Sequence, residues 1–249
     1  LIIHEAMAVA VDLETFVREV DGNPEIVQEG ENANALMTEV FCGLRTNLQF
    51  LLGKANHNVI LVTSTISGEG KTFVATNLAV SLALLDKRVV VVGLDIRRPK
   101  LLECFGFSHE EIKGKKGITN YLSDNSIDLH SLLISAKNNS NLYILPAGTI
   151  PPNPAELIAR PALDTAIKLL AEEFDYVILD SAPVGLVSDA LIASRLADIT
   201  LYICRADYSH KSDFDLINDL KKKQKLPEMA IIVNGINMKK KKYGYYYGY

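Results

Sequence analysis

A glycine-rich turn that ends in a lysine and a threonine is the segment of the sequence best suited to chemistry. It follows the apolar, β-branched run 59–64 and leads into helical spacing that begins with Phe73. Its residues are Ser67, Gly68, Glu69, Gly70, Lys71 and Thr72. Glycines let backbone N–H groups converge on phosphate oxygens, and the next helix presents its positive end to them. In this pattern a lysine reaches the outer phosphates and a threonine hydroxyl binds Mg²⁺, so the turn predicts a nucleotide site.

The match to the phosphate-binding pattern G-x-x-x-x-G-K-[ST] is incomplete at one position, because Thr65 stands where the first glycine is expected. The closing triplet of Gly70, Lys71 and Thr72 is intact. The alternative is a strand-turn-helix junction with an incidental Gly-x-Gly. The strand before the turn and the helix after it favour the phosphate site.

Two acidic residues follow buried strands and are the expected partners of the phosphate turn. Asp95 and Asp180 would hold Mg²⁺, and one of them would orient or deprotonate an attacking hydroxyl. The alternative for each is a capping role in the next loop. Arg97 and Arg98 are candidates for phosphate clamps or subunit contacts, with a solvated charge pair as the alternative, and Asp189 is expected to cap the helix after it.

Size and composition favour one α/β domain. The chain has 249 residues, 48% of them hydrophobic and 22% charged, which is enough for one substantial core. A net charge of −4 gives no indication of a nucleic-acid-binding surface.

The cysteines and apolar runs indicate the environment of the chain. Cys42, Cys104 and Cys204 are far apart, which indicates a reducing compartment and argues against a zinc site. No run of about 18 apolar residues occurs, so we expect a soluble chain, and the missing initiator Met suggests a fragment of a longer protein.

Apolar runs that alternate with helical segments predict a doubly wound, mostly parallel sheet with helices on both faces. The predicted strands are 59–64, 88–95, 142–146, 176–180, 199–204 and 230–234. Ligands bind at the carboxyl ends of such strands, where Gly70, Asp95, Asp180 and Asn234 fall. Arg205 and Asn234, at the last strand ends, are positional candidates for adenine contacts.

The two ends of the chain differ from this pattern. Residues 1–20 have helix-like spacing, a turn and an extended arm follow to about residue 35, and 37–52 is predicted as a helix. At the other end, four lysines precede Tyr243, Tyr245, Tyr246, Tyr247 and Tyr249. Such a run cannot build a core. A docking tail for RNA or protein is conceivable, but accessible hydroxyls in a nucleotide-binding protein suggest phosphoacceptors.

The order of these motifs resembles that of the bacterial tyrosine kinases, which are cytoplasmic ATPase-like domains of polysaccharide copolymerases with a P-loop fold of the deviant Walker group. The resemblance runs from about residue 39 to residue 249. It rests on the segments 39–49, 67–72 (Walker A), 94–99 (Walker A′), 151–157 and 180–183 (Walker B) and on the tyrosine cluster.

The resemblance implies an ATP-dependent protein-tyrosine kinase that uses Mg²⁺. Lys71 and Thr72 would bind ATP and the metal, and Asp95 and Asp180 would serve the metal and the attacking tyrosine. The other residues of the ATP site around the turn would be Ser67, Gly68, Glu69, Gly70 and Phe73. The tail tyrosines would be phosphorylated in trans within a homo-oligomeric ring, assembled through a helix motif that contains Glu39 and Arg45. This cycle would regulate capsule or exopolysaccharide polymerisation and export.

The resemblance also implies partners and an organisation of the chain. The partners are a transmembrane copolymerase or activator, fused or separate, and a tyrosine phosphatase, at the cytoplasmic face of the bacterial inner membrane. Residues 1–35 would be a juxtamembrane arm, 36–238 the kinase domain and 239–249 a flexible tail.

Two positions depart from the family pattern. Gly93 replaces the first acid of the usual Asp-x-Asp in Walker A′, and Cys42 replaces the first arginine of the ring motif. Two other functions therefore stay open. One is a nucleotide-gated scaffold that does not phosphorylate tyrosine. The other is a partition-type ATPase, although Ile66 occupies the position of the signature lysine of those proteins.

Overall fold

A computed structural model of the protein describes part of the chain, and everything below concerns that part. The described residues are 9–11, 19–20, 23–24, 31–53, 58–124, 126–137 and 139–236. The predicted phosphoacceptor tyrosines and most of the predicted arm lie outside the described residues.

The fold is built on one large, mostly parallel sheet. The strands are β1 (Val9–Val11), β2 (Glu19–Val20), β3 (Asn23–Pro24), β4 (Val59–Ser64), β5 (Val89–Leu94), β6 (Ile134–Ala136), β7 (Asn139–Leu145), β8 (Tyr176–Ser181), β9 (Ile199–Arg205) and β10 (Met229–Asn234). Eight of them form the sheet in the order β1-β10-β9-β4-β8-β5-β7-β6. Every neighbouring pair is parallel except β6 and β7, while β2 and β3 form a separate antiparallel pair.

Helices cover both faces of this sheet. They are α1 (Glu31–Leu52), α2 (Lys71–Ala83), α3 (Leu101–Cys104), α4 (His109–Ile112), α5 (Ile118–Ser123), α6 (Pro154–Ile158), α7 (Pro161–Glu173), α8 (Asp189–Ala193) and α9 (Asp213–Lys222). Among the helices of the described segments, none has the length and apolar character needed to cross a membrane.

The side-chain alternation of β4 shows how the two faces are filled. Val59 and Leu61 belong to the hydrophobic cluster that includes the apolar residues of α7, whereas Ile60 and Val62 belong to the cluster of α1 and α2. A strand that is buried on both faces must be apolar at every position. The predicted doubly wound sheet is therefore confirmed.

Local boundaries differ from the sequence prediction at the edges of the sheet. Residues 9–11, predicted as part of a helix, form the edge strand β1, which pairs with β10. Helix α1 begins at Glu31 rather than at residue 37. Strand β6 was not predicted, because its partly exposed residues give no apolar run. Edge strands depend on pairing with a neighbour, so their own spacing is a weak signal.

Candidate active site

The phosphate turn lies at the carboxyl end of the central strand β4 and leads into α2. Gly68 and Gly70 have φ values of +90° and +94°, a left-handed conformation that favours glycine. A Cβ atom at Gly68 would lie 2.8 Å from the Tyr208 hydroxyl oxygen, so a side chain there would displace the end of that tyrosine. Gly70 directly precedes Lys71, the first residue of α2. The backbone therefore has the form of an anion-binding nest at a helix N-terminus.

Three polar side chains are brought together at the base of this turn. Lys71 is 6% exposed and Asp180, near the end of β8, is 2% exposed. Burial lowers the pKa of Lys71, against the opposing effect of the carboxylates of Asp180, Asp95 and Glu69. Burial raises the pKa of Asp180 to about 7, although the hydroxyl of Thr72 donates to its carboxylate and Lys71 lies near it. These opposite shifts are typical of functional sites.

The donor set beneath the turn fits a magnesium ion together with phosphate oxygens. The Oδ1 atom of Asp180 is buried and has no hydrogen-bond partner among the described residues, which is costly unless a ligand supplies one. Thr72 and Asp180 would hold the metal, with Asp95 as the second acid. Among the described residues no group of three or more His, Cys, Asp or Glu side chains could hold a metal by itself. Mg²⁺ commonly uses one or two carboxylates and takes its other ligands from water and phosphate.

Asp95 is held beside Asp180 by backbone contacts. Its N–H donates to the Asp180 carbonyl at 2.9 Å, and its Oδ1 accepts the N–H of Arg98 at 3.1 Å. Gly93 is paired in register with Asp180. A Cβ atom at Gly93 would lie only 3.1 Å from the backbone nitrogen of Ala147, so a side chain there would be crowded.

Arg97 and Asp189 form an ion pair that the sequence analysis assigned differently. Arg97 Nε donates to Asp189 Oδ2 at 2.6 Å, and Nη2 donates to Oδ1 at 3.0 Å. The Asp189 side chain is fully buried. The capping prediction for Asp189 is wrong, since Ser188 is the N-cap residue of α8 and the Asp189 carboxylate binds Arg97 instead. The pair joins the loop that carries Asp95 to α8.

The residues proposed for adenine contacts bind the phosphate turn itself. Arg205 Nη1 donates to the Gly68 carbonyl at 3.0 Å, and Asn234 Nδ2 donates to the Glu69 carbonyl at 2.9 Å. The Glu69 side chain is fully buried, where it accepts the Ile66 N–H at 2.7 Å.

Several other residues of the site have contacts that the sequence did not indicate. Tyr208 donates from its hydroxyl to the Ser67 carbonyl at 3.0 Å, and the Ser209 hydroxyl donates to the Glu69 carboxylate. The segment after β9 carries no motif that would have identified Tyr208 or Ser209. The predicted ATP-binding residue Phe73 packs its ring edge-on against Phe41 of α1, at 6.1 Å between centroids.

The residues of the predicted ring motif lie on α1. Glu39 is exposed. Arg45 is engaged within its own subunit, since its Nη1 donates to the Ser81 carbonyl at 2.7 Å and its Nη2 donates to Cys42 Sγ at 3.5 Å. This contact ties α1 to the last part of α2. The role of Glu39 and Arg45 in assembly stays a prediction.

The raised pKa of Asp180 predicts a pH-dependent gain in stability for Asp180→Asn in the ligand-free protein. The pKa is about 7 in the folded protein and 3.8 ordinarily, so the folded state binds the extra proton between these values. Wild-type stability therefore falls as the pH rises through this window, whereas asparagine does not titrate. We expect the advantage of the variant to grow by on the order of 2 kcal/mol from pH 5 to pH 8, measured by urea unfolding.

The partly exposed Asp164, whose pKa is lowered chiefly by its hydrogen bond to Arg195, is the matched control. Asp164→Asn should not gain stability with rising pH. A stability difference between Asp180→Asn and the wild type that does not change from pH 5 to pH 8 would contradict the raised pKa of Asp180.

The ion pair between Arg97 and the buried Asp189 predicts that Asp189→Asn destabilises the protein by about 1–3 kcal/mol, because it weakens two charge-assisted hydrogen bonds to a buried group. Equilibrium urea unfolding measures this loss, and hydrogen exchange should increase at residues 95–98. Asp164→Asn is again the control, because Asp164 also binds an arginine with two contacts, at 3.0 and 2.7 Å, but is 46% exposed. It should cost less than about 1 kcal/mol, and equal losses in the two variants would refute the structural importance of the buried pair.

Comparisons with known sequences identify related proteins. The protein family described as AAA domain matches residues 57–233. The tyrosine-protein kinase CpsD of Streptococcus agalactiae is 32% identical over 211 residues, which cover 85% of this chain and 89% of CpsD. The tyrosine-protein kinase wzc of Salmonella typhi is 30% identical over 184 residues, which cover 70% of this chain and 23% of that protein. The chain thus spans most of one relative and less than a quarter of the other.

Solved structures show the same fold. The kinase domain of the Escherichia coli tyrosine kinase ETK matches with a TM-score of 0.80 at 24% identity, over 98% of this chain and 95% of that chain. The septum site-determining protein MinD of Pyrococcus horikoshii, complexed with Mg-ADP, matches with a TM-score of 0.58 at 24% identity, over 72% and 70% of the two chains. Both matches confirm the P-loop α/β architecture. Because most of CpsD aligns with this chain and the AAA-domain family covers its phosphate turn, the chain belongs to the bacterial tyrosine-protein kinases, the enzyme class predicted from its sequence.

Proposed function

We propose that this protein is an autokinase that transfers the γ-phosphoryl group of ATP to the C-terminal tyrosines of a neighbouring copy. The observation that carries the proposal is the group formed by the buried Lys71 and Asp180 and the half-buried Thr72 under a glycine-rich turn, in a chain with five tyrosines among its last seven residues. The unpartnered Oδ1 of Asp180 supports a site that is completed by a ligand.

The chemistry of the proposed transfer follows from these groups. The tyrosine oxygen attacks the γ-phosphorus, the bond from that phosphorus to the β,γ-bridging oxygen breaks, and ADP leaves. Lys71 and the amides of the turn stabilise the charge on the transferred oxygens. Asp180 or Asp95 accepts the phenolic proton. Bound Mg²⁺ would supply further neutralisation of phosphate charge.

The biological setting of the proposed reaction is capsule or exopolysaccharide production. Subunits would form a ring at the cytoplasmic face of the inner membrane, together with a transmembrane copolymerase, and a tyrosine phosphatase would reverse the reaction. Each phosphotyrosine adds about −1.5 to −2 charges. Several of them within seven residues would repel one another and leave the acidic subunit surface, which gives phosphorylation a physical route to ring disassembly.

Transfer in trans predicts phosphate on the tail of an inactive acceptor. Lys71→Met removes the ammonium group from the phosphate site and leaves the tail intact, whereas a donor with all five tail tyrosines changed to phenylalanine keeps the site. When the two are mixed with ATP and Mg²⁺, mass spectrometry should find phosphate on Tyr243–Tyr249 of the Lys71→Met protein. Neither variant should become phosphorylated there alone.

Lys168→Met, at an exposed position of α7, is the control and should keep wild-type phosphorylation. ADP binding by a wild-type protein that forms no phosphotyrosine with its membrane partner present would reject the kinase activity. ATP hydrolysis that is unchanged by deletion of residues 243–249 would instead support a partition-type ATPase.

The nucleotide-gated scaffold is the second candidate, and the crowded surroundings of Gly93 favour it. The missing acid removes a candidate base or metal ligand from Walker A′. In the scaffold, ATP binding would organise an export complex, and the tail would serve only as a docking peptide.

A further inference from the structure

The end of β9 and the segment that follows it contact three residues of the phosphate turn. Arg205, Tyr208 and Ser209, which we call the loop brace, each bind a different residue of the turn. Arg205 binds the Gly68 carbonyl at 3.0 Å, Tyr208 binds the Ser67 carbonyl at 3.0 Å, and Ser209 binds the Glu69 carboxylate.

The loop brace is also ordered by contacts within itself. The Arg205 guanidinium lies over the Tyr208 ring, 5.2 Å from its centroid. The Arg205 N–H donates to the Ser209 hydroxyl at 2.8 Å. A flat arginine stacked on an aromatic ring keeps a defined direction for its donors. The three residues therefore act on the turn as one unit.

The geometry of the peptide group links these contacts to phosphate binding. In a planar trans peptide the carbonyl of one residue and the N–H of the next residue point in opposite directions. Bonds that hold the carbonyls of Ser67 and Gly68 toward the loop brace therefore direct the N–H groups of Gly68 and Glu69 away from it, where they are available to a phosphate. The brace has no need to touch a phosphate in order to prepare the amides that do.

We propose that Arg205 and Tyr208 are positioning residues that set the phosphate affinity of the turn, and that they do not recognise the base. The inference rests on the proposed function only in taking the turn as a nucleotide site. It replaces the expected adenine contact of Arg205 with a role in ordering the turn. Tyr208 is 43% exposed, so a residue at the protein surface would affect the phosphate affinity of a buried site.

The test compares ADP with tripolyphosphate, which has phosphates and no base. Binding is measured by isothermal titration calorimetry in buffer with Mg²⁺, for the wild type, Tyr208→Phe and Arg205→Gln. Tyr208→Phe keeps the ring under Arg205 and removes only the hydroxyl. Each variant loses one hydrogen bond to the turn, so we expect both ligands to bind about 3 to 10 times more weakly, by the same factor.

The matched control is Tyr176→Phe, because Tyr176 begins β8 at the opposite end of the strand from Asp180. It should leave both affinities unchanged. Melting of the ligand-free variants checks that they are folded. Hydrogen exchange should increase at residues 67–70 in Tyr208→Phe and stay unchanged elsewhere, which a general loss of stability would not produce.

Each other outcome identifies what fails. A loss for ADP alone would show that the residues contact the base and would overturn the proposal. Unchanged affinities for both ligands would overturn the proposal and leave the proposed kinase function intact. A wild type that binds neither ligand would overturn both. Tight binding without phosphotyrosine would reject the kinase function and leave the brace supported by its own measurement.

Discussion

Lys71 and Asp180 are buried close enough to affect each other's ionisation, and the rest of the site depends on this arrangement. Burial disfavours both charges, so it lowers the pKa of the lysine and raises that of the aspartate. A desolvated pair is tolerated only where its remaining hydrogen-bonding capacity is met. Here one carboxylate oxygen has no partner in the part of the chain that the structure describes, and phosphate with a metal ion has the charge and the acceptors that the pair lacks. The unpartnered oxygen therefore lowers the stability of the ligand-free protein, and ligand binding would compensate for this loss.

The departure of Thr65 from the usual glycine shows how the surrounding core adapts to the phosphate turn. The Thr65 hydroxyl shares a hydrogen bond of 2.9 Å with the buried Tyr202 hydroxyl. The close approach needed at this point is provided by the neighbouring segment, because a Cβ atom at Gly185 would lie 2.4 Å from the Thr65 carbonyl oxygen. The threonine thus gains a partner in the core, and the glycine that permits close packing lies after β8 rather than at the start of the turn.

The sequence predicted those parts of the site that are made of consecutive residues. The phosphate turn is such a part, since neighbouring amides form the nest, and the strand ends at Asp95 and Asp180 follow from apolar runs. The contacts that hold the site together join distant residues and have no local pattern. Arg97 and Asp189 are separated by 92 positions, and Tyr208 and Ser67 by 141. For the same reason the central strands were predicted, while the edge strands β1 and β6, which depend on pairing, were not.

Gly93, which stands where the family pattern has an acidic residue, is closely packed in the sheet. It lies opposite Asp180 in the register of β5 and β8, and the space beside it is taken up by the backbone at Ala147, at the end of β7. A carboxylate at this position would have to push that backbone aside. It would also place another negative charge near Asp180 and raise a pKa that burial has already brought to about 7. The glycine leaves Asp95 and Asp180 as the two acids at this edge of the sheet, and the proposed chemistry relies on them.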